Sequence, residues 1–186
     1  MEIFWRYLRR SEPLAGLDRP PKSSIAGCPR PLPCKQRVSR MTALVEPRHD
    51  LSSTEIDAVE QSLYDFNRRA IGRNDGRGLG FVIRDDARRV IGVAAGYSWA
   101  GTSEIKQMWI DEAYRGRGYA RDLLRAFVVE AARRGVRRIW VASHDFQAPG
   151  LYEKAGFRRV AEFAGWPEGH TNIVLCKTLI AGQEAD

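Results

Sequence analysis

Two glycines and two arginines fall within seven residues, Tyr114-Arg115-Gly116-Arg117-Gly118-Tyr119-Ala120, and this stretch carries the clearest chemistry in the chain. Glycine lets a large anion approach the backbone without meeting a side chain. The first N–H groups of a helix have no partner inside it and sit at the positive end of its dipole. Arg115 and Arg117 add mobile positive charge. At a helix start, such a stretch reads as a cradle for a pyrophosphate. A plain turn between a strand and a helix needs neither two glycines nor their flanking arginines.

The flanking residues supply the helix start. Glu104–Ile110 is strand-like, and Ala120, Leu123, Leu124, Phe127, Val128 and Ala131 recur at helical spacing. That helix should end at Arg133-Arg134-Gly135, with cations in the last turn and glycine after it. Upstream, Ala43–Glu46 is expected as a first strand. Ser52 and Glu55 form a capping box ahead of a stripe of Ile56, Val59, Leu63 and Phe66. A loop at 73–78 precedes a hairpin, 81–84 and 90–95, turning at Asp85-Asp86. Downstream, the apolar run Ile139–Ala142 predicts a central strand. A short helix follows from Pro149 to Ala155, ended by Gly156. The last strands are expected at 157–161 and 171–177. Strand pairs followed by a strand–helix–strand unit predict a mixed α/β sheet.

Composition narrows the function classes. At 186 residues and 44% hydrophobic, one domain with a real core is expected, and no apolar run reaches membrane-span length. The formal charge of +7 suggests nucleic acid, but its distribution argues against that. Residues 1–40 hold nine Lys/Arg and three Asp/Glu, whereas 41–186 hold 21 and 20. The basicity therefore belongs to a Pro-rich segment, with six of nine prolines before Met41, which is expected to be a disordered extension. Order is expected over 41–180, with 181–186 a flexible end. The paired arginines of the ordered part are interleaved with acidic neighbours, so they read as a solvated surface rather than a nucleic-acid site. Cys28, Cys34 and Cys176 match no zinc spacing and make no disulfide framework, so a reducing, cytoplasmic setting without a metal is expected.

These residues resemble the GNAT superfamily of acetyltransferases. Its acyl-CoA signature, Arg or Gln, two residues, Gly, one residue, then Gly or Ala, is matched by Arg115, Gly118 and Ala120. About 30 residues on, Leu151-Tyr152-Glu153-Lys154-Ala155-Gly156-Phe157 matches a second family signature almost letter for letter. Three residues before Ala148, where relatives often carry Asn, this chain has Asp145. The resemblance covers roughly 41–180. Phe146-Gln147-Ala148 and Trp166–His170 are similar to a subgroup of small bacterial members.

The resemblance implies a mostly antiparallel, twisted sheet of six to seven strands, with helices on both faces and splayed middle strands. It implies acetyl-CoA as co-substrate, its pyrophosphate on Arg115–Ala120 (Arg115, Gly116, Arg117, Gly118, Tyr119, Ala120) and its pantetheine arm against the backbone of Met108, Trp109 and Ile110, as an added strand would lie. Tyr152 is the implied acid: a phenol of pKa near 10 can protonate a thiolate whose thiol has pKa of about 8.5. The alternative is a packing Tyr with its hydroxyl hydrogen-bonded. Glu104 occupies the position of a base in one branch of the family; otherwise it is an exposed strand residue opposite Lys106. His144 and Asp145 are alternative bases, His170 an acceptor-pocket residue, and no base at all remains open. A backbone N–H near Gln107–Trp109 would meet the oxyanion. Cys176, within an apolar strand and lacking an adjacent base, is a poor nucleophile, so direct transfer to a small-molecule amine is expected. An idle acyl-CoA-binding module, a protein amine acceptor and a homodimer stay open.

Overall fold

The computed structural model describes residues 45–179, so the expectations for 1–40, for Ala43 and Leu44, for Cys28 and Cys34 and for 181–186 lie outside the described residues. Ser52 caps the first helix, α1 (Ser53–Ile71). Its hydroxyl accepts the Glu55 N–H at 3.2 Å and the Glu55 carboxylate accepts the Ser52 N–H at 2.9 Å, the expected reciprocal box. Strands β1 (Arg77–Arg84), β2 (Val90–Trp99) and β3 (Thr102–Ile110) follow as an antiparallel meander. A 3-10 turn, Glu112–Tyr114, leads into α2 (Tyr119–Arg133), which carries the chain back to β4 (Arg138–His144), parallel to β3. Then come α3 (Pro149–Lys154), β5 (Arg158–Ala164) and β6 (Thr171–Thr178). The six strands lie in the order β1-β2-β3-β4-β6-β5, and every neighbouring pair but β3–β4 is antiparallel.

One expectation needs correcting and one refining. Val45 and Glu46, the described half of the expected first strand, lie in no strand, and Val45 is 98% exposed. A short apolar run names no pairing partner, and the described residues of this one have none. The Ile139–Ala142 run is central in the sheet as expected, but its burial alternates: Ile139 and Val141 are buried while Trp140 is 37% exposed. Helices cover that part of the sheet on one face only.

That covered face is the core. α2 lays Leu123, Leu124, Phe127, Val128 and Ala131 on Leu79, Ala94, Ile105 and Ile110, and the same cluster runs on through Ile139, Val141, Ile173 and Leu175 to Tyr152 and Phe157. Right-handed β–α–β crossovers put α2 and α3 on the same side of the sheet. Each of the larger apolar side chains among them, Leu, Ile, Val or Phe, is worth about 1.5–3 kcal/mol when buried. The other face meets α1, whose Tyr64 tilts against Trp99 at 6.0 Å, so helices stand on both faces.

Two departures from regular sheet shape the centre. Ala95 pairs with Gln107 but Gly96 with Ile105, so Lys106 is an extra residue, a bulge in β3. A Cβ at Gly96 would come within 1.8 Å of the Glu104 carbonyl oxygen, so only glycine permits this approach. The β3–β4 ladder runs from Thr102–Arg138 to Ile105–Val141 and stops, although both strands continue, to Ile110 and His144. The middle of the sheet splays from that point.

Candidate active site

The loop between β3 and α2 is built from turns that glycine allows. Asp111 caps the 3-10 turn by accepting the Ala113 N–H at 3.0 Å. Gly116 and Gly118 then take φ of 75° and 88°, the left-handed region, and Gly118 is the N-cap of α2 without a side-chain cap. The helix therefore opens with its N–H groups uncapped by any side chain. Nothing stands within 4 Å of where a Gly116 Cβ would be. Arg115 is tethered rather than mobile, its Nε donating to the Ile110 carbonyl at 3.2 Å. Arg117 lies over the Tyr114 ring at 5.3 Å and donates to the Ala113 carbonyl at 3.3 Å. Tyr119 and Ala120 are half-buried against the core at the first turn of α2.

The backbone phase of β3 decides which groups line the splay. The Asp111 N–H donates to the Ile91 carbonyl. Antiparallel hydrogen-bonded pairs recur every second residue, so Trp109 and Gln107 also turn their backbone groups towards β2. Met108 and Ile110 turn theirs the other way, into the gap beside β4. Of these, the Ile110 carbonyl is taken by Arg115, which leaves the Met108 N–H and C=O and the Ile110 N–H. Trp109, named with Met108 and Ile110 as a backbone partner, faces the wrong neighbour for that role. Gln107 enters the sequence reading through its backbone alone, yet its side-chain Oε1 is fully buried with no hydrogen-bond partner among the described residues.

Tyr152 is 4% exposed and sits in the core cluster, edge-on to Phe157 at 5.8 Å. Among the described residues nothing hydrogen-bonds its hydroxyl. Gln107 Oε1 is the one fully buried side-chain oxygen or nitrogen there without a partner, so the Tyr152 hydroxyl keeps some contact with solvent. Burial pushes its pKa up to about 12.

Glu104 is not the exposed residue of the bland reading. It is 6% exposed, and its Oε1 lies 2.7 Å from Nζ of Lys106, two residues on along the same face of β3. The Lys106 ammonium also lies 5.9 Å from the centre of the Tyr97 ring. Glu104 pairs with Tyr97 on one side and Trp140 on the other, and alternation puts Glu104, Trp140 and His144 on the face away from α2 and α3.

His144, Asp145 and His170 come together where β4 ends. His144 stacks on Phe146 at 5.1 Å, and Phe146 meets the edge of His170 at 4.8 Å. Asp145 Oδ1 lies 3.1 Å from His170 Nδ1, and Oδ2 accepts the Thr171 N–H at 3.1 Å. Burial works to raise the Asp145 carboxyl, but the Thr171 N–H and the His170 ring outweigh it and hold the pKa below the ordinary value. The place of Phe146 between two imidazoles depends on the β5–β6 loop folding back over β4, which its local motif does not encode.

Residues 43–157 match the sequence model of the acetyltransferase (GNAT) family. An acetyltransferase of Agrobacterium fabrum (strain C58) is 28% identical over 123 residues, covering 66% of this chain and 90% of that protein. The blasticidin-S acetyltransferase of Streptomyces morookaense is 34% identical over 76 residues, 40% of this chain, and the alignment spans 56% of that protein. An acetyltransferase-like crystal structure from Agrobacterium tumefaciens superposes with a TM-score of 0.66 at 26% identity, over 75% of this chain and all (100%) of that one.

Proposed function

This chain belongs to the acetyltransferase (GNAT) family, and from that premise we propose that it moves an acetyl group from acetyl-CoA directly to an amine of a small molecule. The observation that carries the reading is the splay beyond the Ile105–Val141 pair. One wall of that gap presents the unpaired backbone groups of Met108 and the Ile110 N–H, and the glycine loop opens at its end. A polar arm ending in a pyrophosphate fits both: the arm adds to β3 as a strand would, and the phosphates meet the N–H groups of α2. The uncrowded, left-handed Gly116 and Gly118 suit that approach.

Acetyl-CoA supplies the electrophilic thioester carbonyl. The Met108 N–H, aimed into the gap, is the donor suited to the oxygen that gains charge during attack. Tyr152 holds the proton the departing sulfur needs. Its raised pKa does not disqualify it. The burial that disfavours a phenolate also disfavours a thiolate formed beside it, so the difference between the two changes less than either value. α2 and α3 close one face of the sheet, so the acceptor reaches the carbonyl from the face of Glu104, Trp140 and His144. The relative named for blasticidin S supports a small-molecule acceptor.

The test is release of free thiol from acetyl-CoA by the full chain across a broad panel of primary amines, with the product identified by mass. Turnover on at least one small amine with an N-acetyl product is expected. Tight acetyl-CoA binding with no turnover on any amine would reduce the protein to an acyl-CoA-binding module.

A further inference from the structure

The two imidazoles beside Phe146 differ in what remains free. His144 Nε2 lies 3.3 Å from the Asn172 side-chain amide, so one of its ring nitrogens is engaged on β6. His170 turns Nδ1 to Asp145, and a carboxylate can only accept, so Nδ1 carries the proton and Nε2 the lone pair. Among the described residues nothing bonds that Nε2. The ring is held on one side by Phe146, while 46% of the side chain remains exposed. Asp145 is itself fixed at both ends: its N–H donates to the Thr171 carbonyl at 3.0 Å and its Oδ2 accepts the Thr171 N–H. A carboxylate, an oriented imidazole and an open lone pair are the parts of a proton acceptor.

The cluster stands at the end of β4 that lies beyond its pairing with β3. β4 runs three residues past its last pairing with β3, and His144, its final residue, shares a face with Glu104 and Trp140. Phe146 ties His170 to that end of the strand. Glu104, the other carboxylate of this face, is bound to Lys106 at 2.7 Å, and taking an amine proton would break that ion pair. His170 gives up nothing by accepting one, since protonation strengthens its bond to Asp145.

Resting on the acetyl-transfer reading above, we propose that His170 is the base for the acceptor amine and that Asp145 positions it. The balance is simple. The amine nitrogen bonds the acetyl carbon and the carbon–sulfur bond breaks. One amine proton passes to His170 Nε2, the sulfur takes the Tyr152 proton, and solvent returns a proton from His170 to Tyr152. The titratable groups that face the His170 ring are Asp145, in contact, and His144, across Phe146, both from the end of β4; Glu168 lies two residues before it in the same loop, and the adjoining ends of β5 and β6, Phe163, Ala164, Thr171 and Asn172, are neutral.

Two measurements test this on the full chain. The first needs no substrate: ¹⁵N NMR of the histidine rings at neutral to alkaline pH should show His170 with its proton on Nδ1, and Asp145→Asn should abolish that preference. A His170 protonated on Nε2 overturns the proposal. The second follows kcat/KM against pH, using whichever amine of an alkyl, aryl, amino-alcohol and aminosugar panel releases thiol fastest. The wild-type acid limb should carry two protons, one from the amine and one from the imidazole. His170→Gln should leave one, with kcat/KM lower by on the order of 10²–10⁴-fold and acetyl-CoA affinity unchanged. Exogenous imidazole should restore part of the rate to His170→Ala. A His170→Gln rate equal to wild type removes the base and leaves acetyl transfer standing. No thiol release by the wild type on any amine removes acetyl transfer, and the base with it.

Discussion

Tyr152 and Gly118 show how much one residue can carry at this site. The packing alternative for Tyr152 requires a hydrogen-bonded hydroxyl, and among the described residues it has no partner, while the ring around it is buried. Tyr152→Phe keeps that ring and removes only the proton. Turnover should fall by about 10²-fold or more while acetyl-CoA affinity holds, measured by thiol release and by calorimetry; equal rates would return Tyr152 to a packing role. Gly118 works through its backbone. At φ 88° a side chain is strained, and a Cβ would meet the Arg121 guanidinium at 3.2 Å. Gly118→Val must either hold that strain, about 1–3 kcal/mol, or move the loop. Acetyl-CoA affinity should drop by at least about tenfold with little change in the far-UV spectrum, and unchanged affinity would refute the cradle.

At the scale of elements, the site is a consequence of where pairing stops. β3 and β4 share four residue pairs, Thr102 to Ile105 with Arg138 to Val141, then part. The bulge at Lys106 comes immediately after the last of them, and a bulge bends and twists its strand. Gly96 holds the bulge in place because its missing Cβ makes room for the Glu104 carbonyl. Gly96→Ala puts a methyl against backbone, which cannot rotate aside. Thermal melting should show a loss larger than the roughly 1–3 kcal/mol of ordinary overpacking. Any folded fraction should bind acetyl-CoA poorly, because Met108 and Ile110 would lose their aim into the gap. A near-normal melting temperature would mean that the bulge is not required.

For the whole molecule, charge pairs on α2 and the buried Tyr152 bound the pH range of stability. Hydrogen bonds from Arg133, then Arg134, hold the Glu130 pKa down to about 2. Arg134 also donates to the Gly78 carbonyl at 2.8 Å and the Ser98 hydroxyl at 3.3 Å, so the pair ties α2 to β1 and β2. A carboxylate whose pKa is depressed on folding contributes stability above its unfolded value, about 4.5, and loses it as pH falls towards 2. Tyr152 acts at the other end. Its folded pKa of about 12 exceeds the ordinary value of 10.0, so stability declines as pH rises between the two. Melting temperature against pH should therefore be flattened on the acid side by Glu130→Gln and on the alkaline side by Tyr152→Phe. Unchanged limbs would show that other groups set them.

The chain's own order of residues determined the local parts. The Ser52–Glu55 box, the Asp85 hairpin, the glycine loop and the helix after it depend on neighbours within a few positions, where spacing and cap chemistry decide the outcome. Two motifs in the expected order were enough to identify the family. What only the tertiary structure decided is what non-neighbours do to one another. Glu104 is buried because β2 and β4 flank it, Tyr152 is left unpaired within a core assembled from seven elements, and Trp109 turns its backbone to β2 because strand phase is set across that ladder. His170 meets Asp145 only because the β5–β6 loop folds back over the end of β4, a contact between residues 25 positions apart that no local spacing encodes.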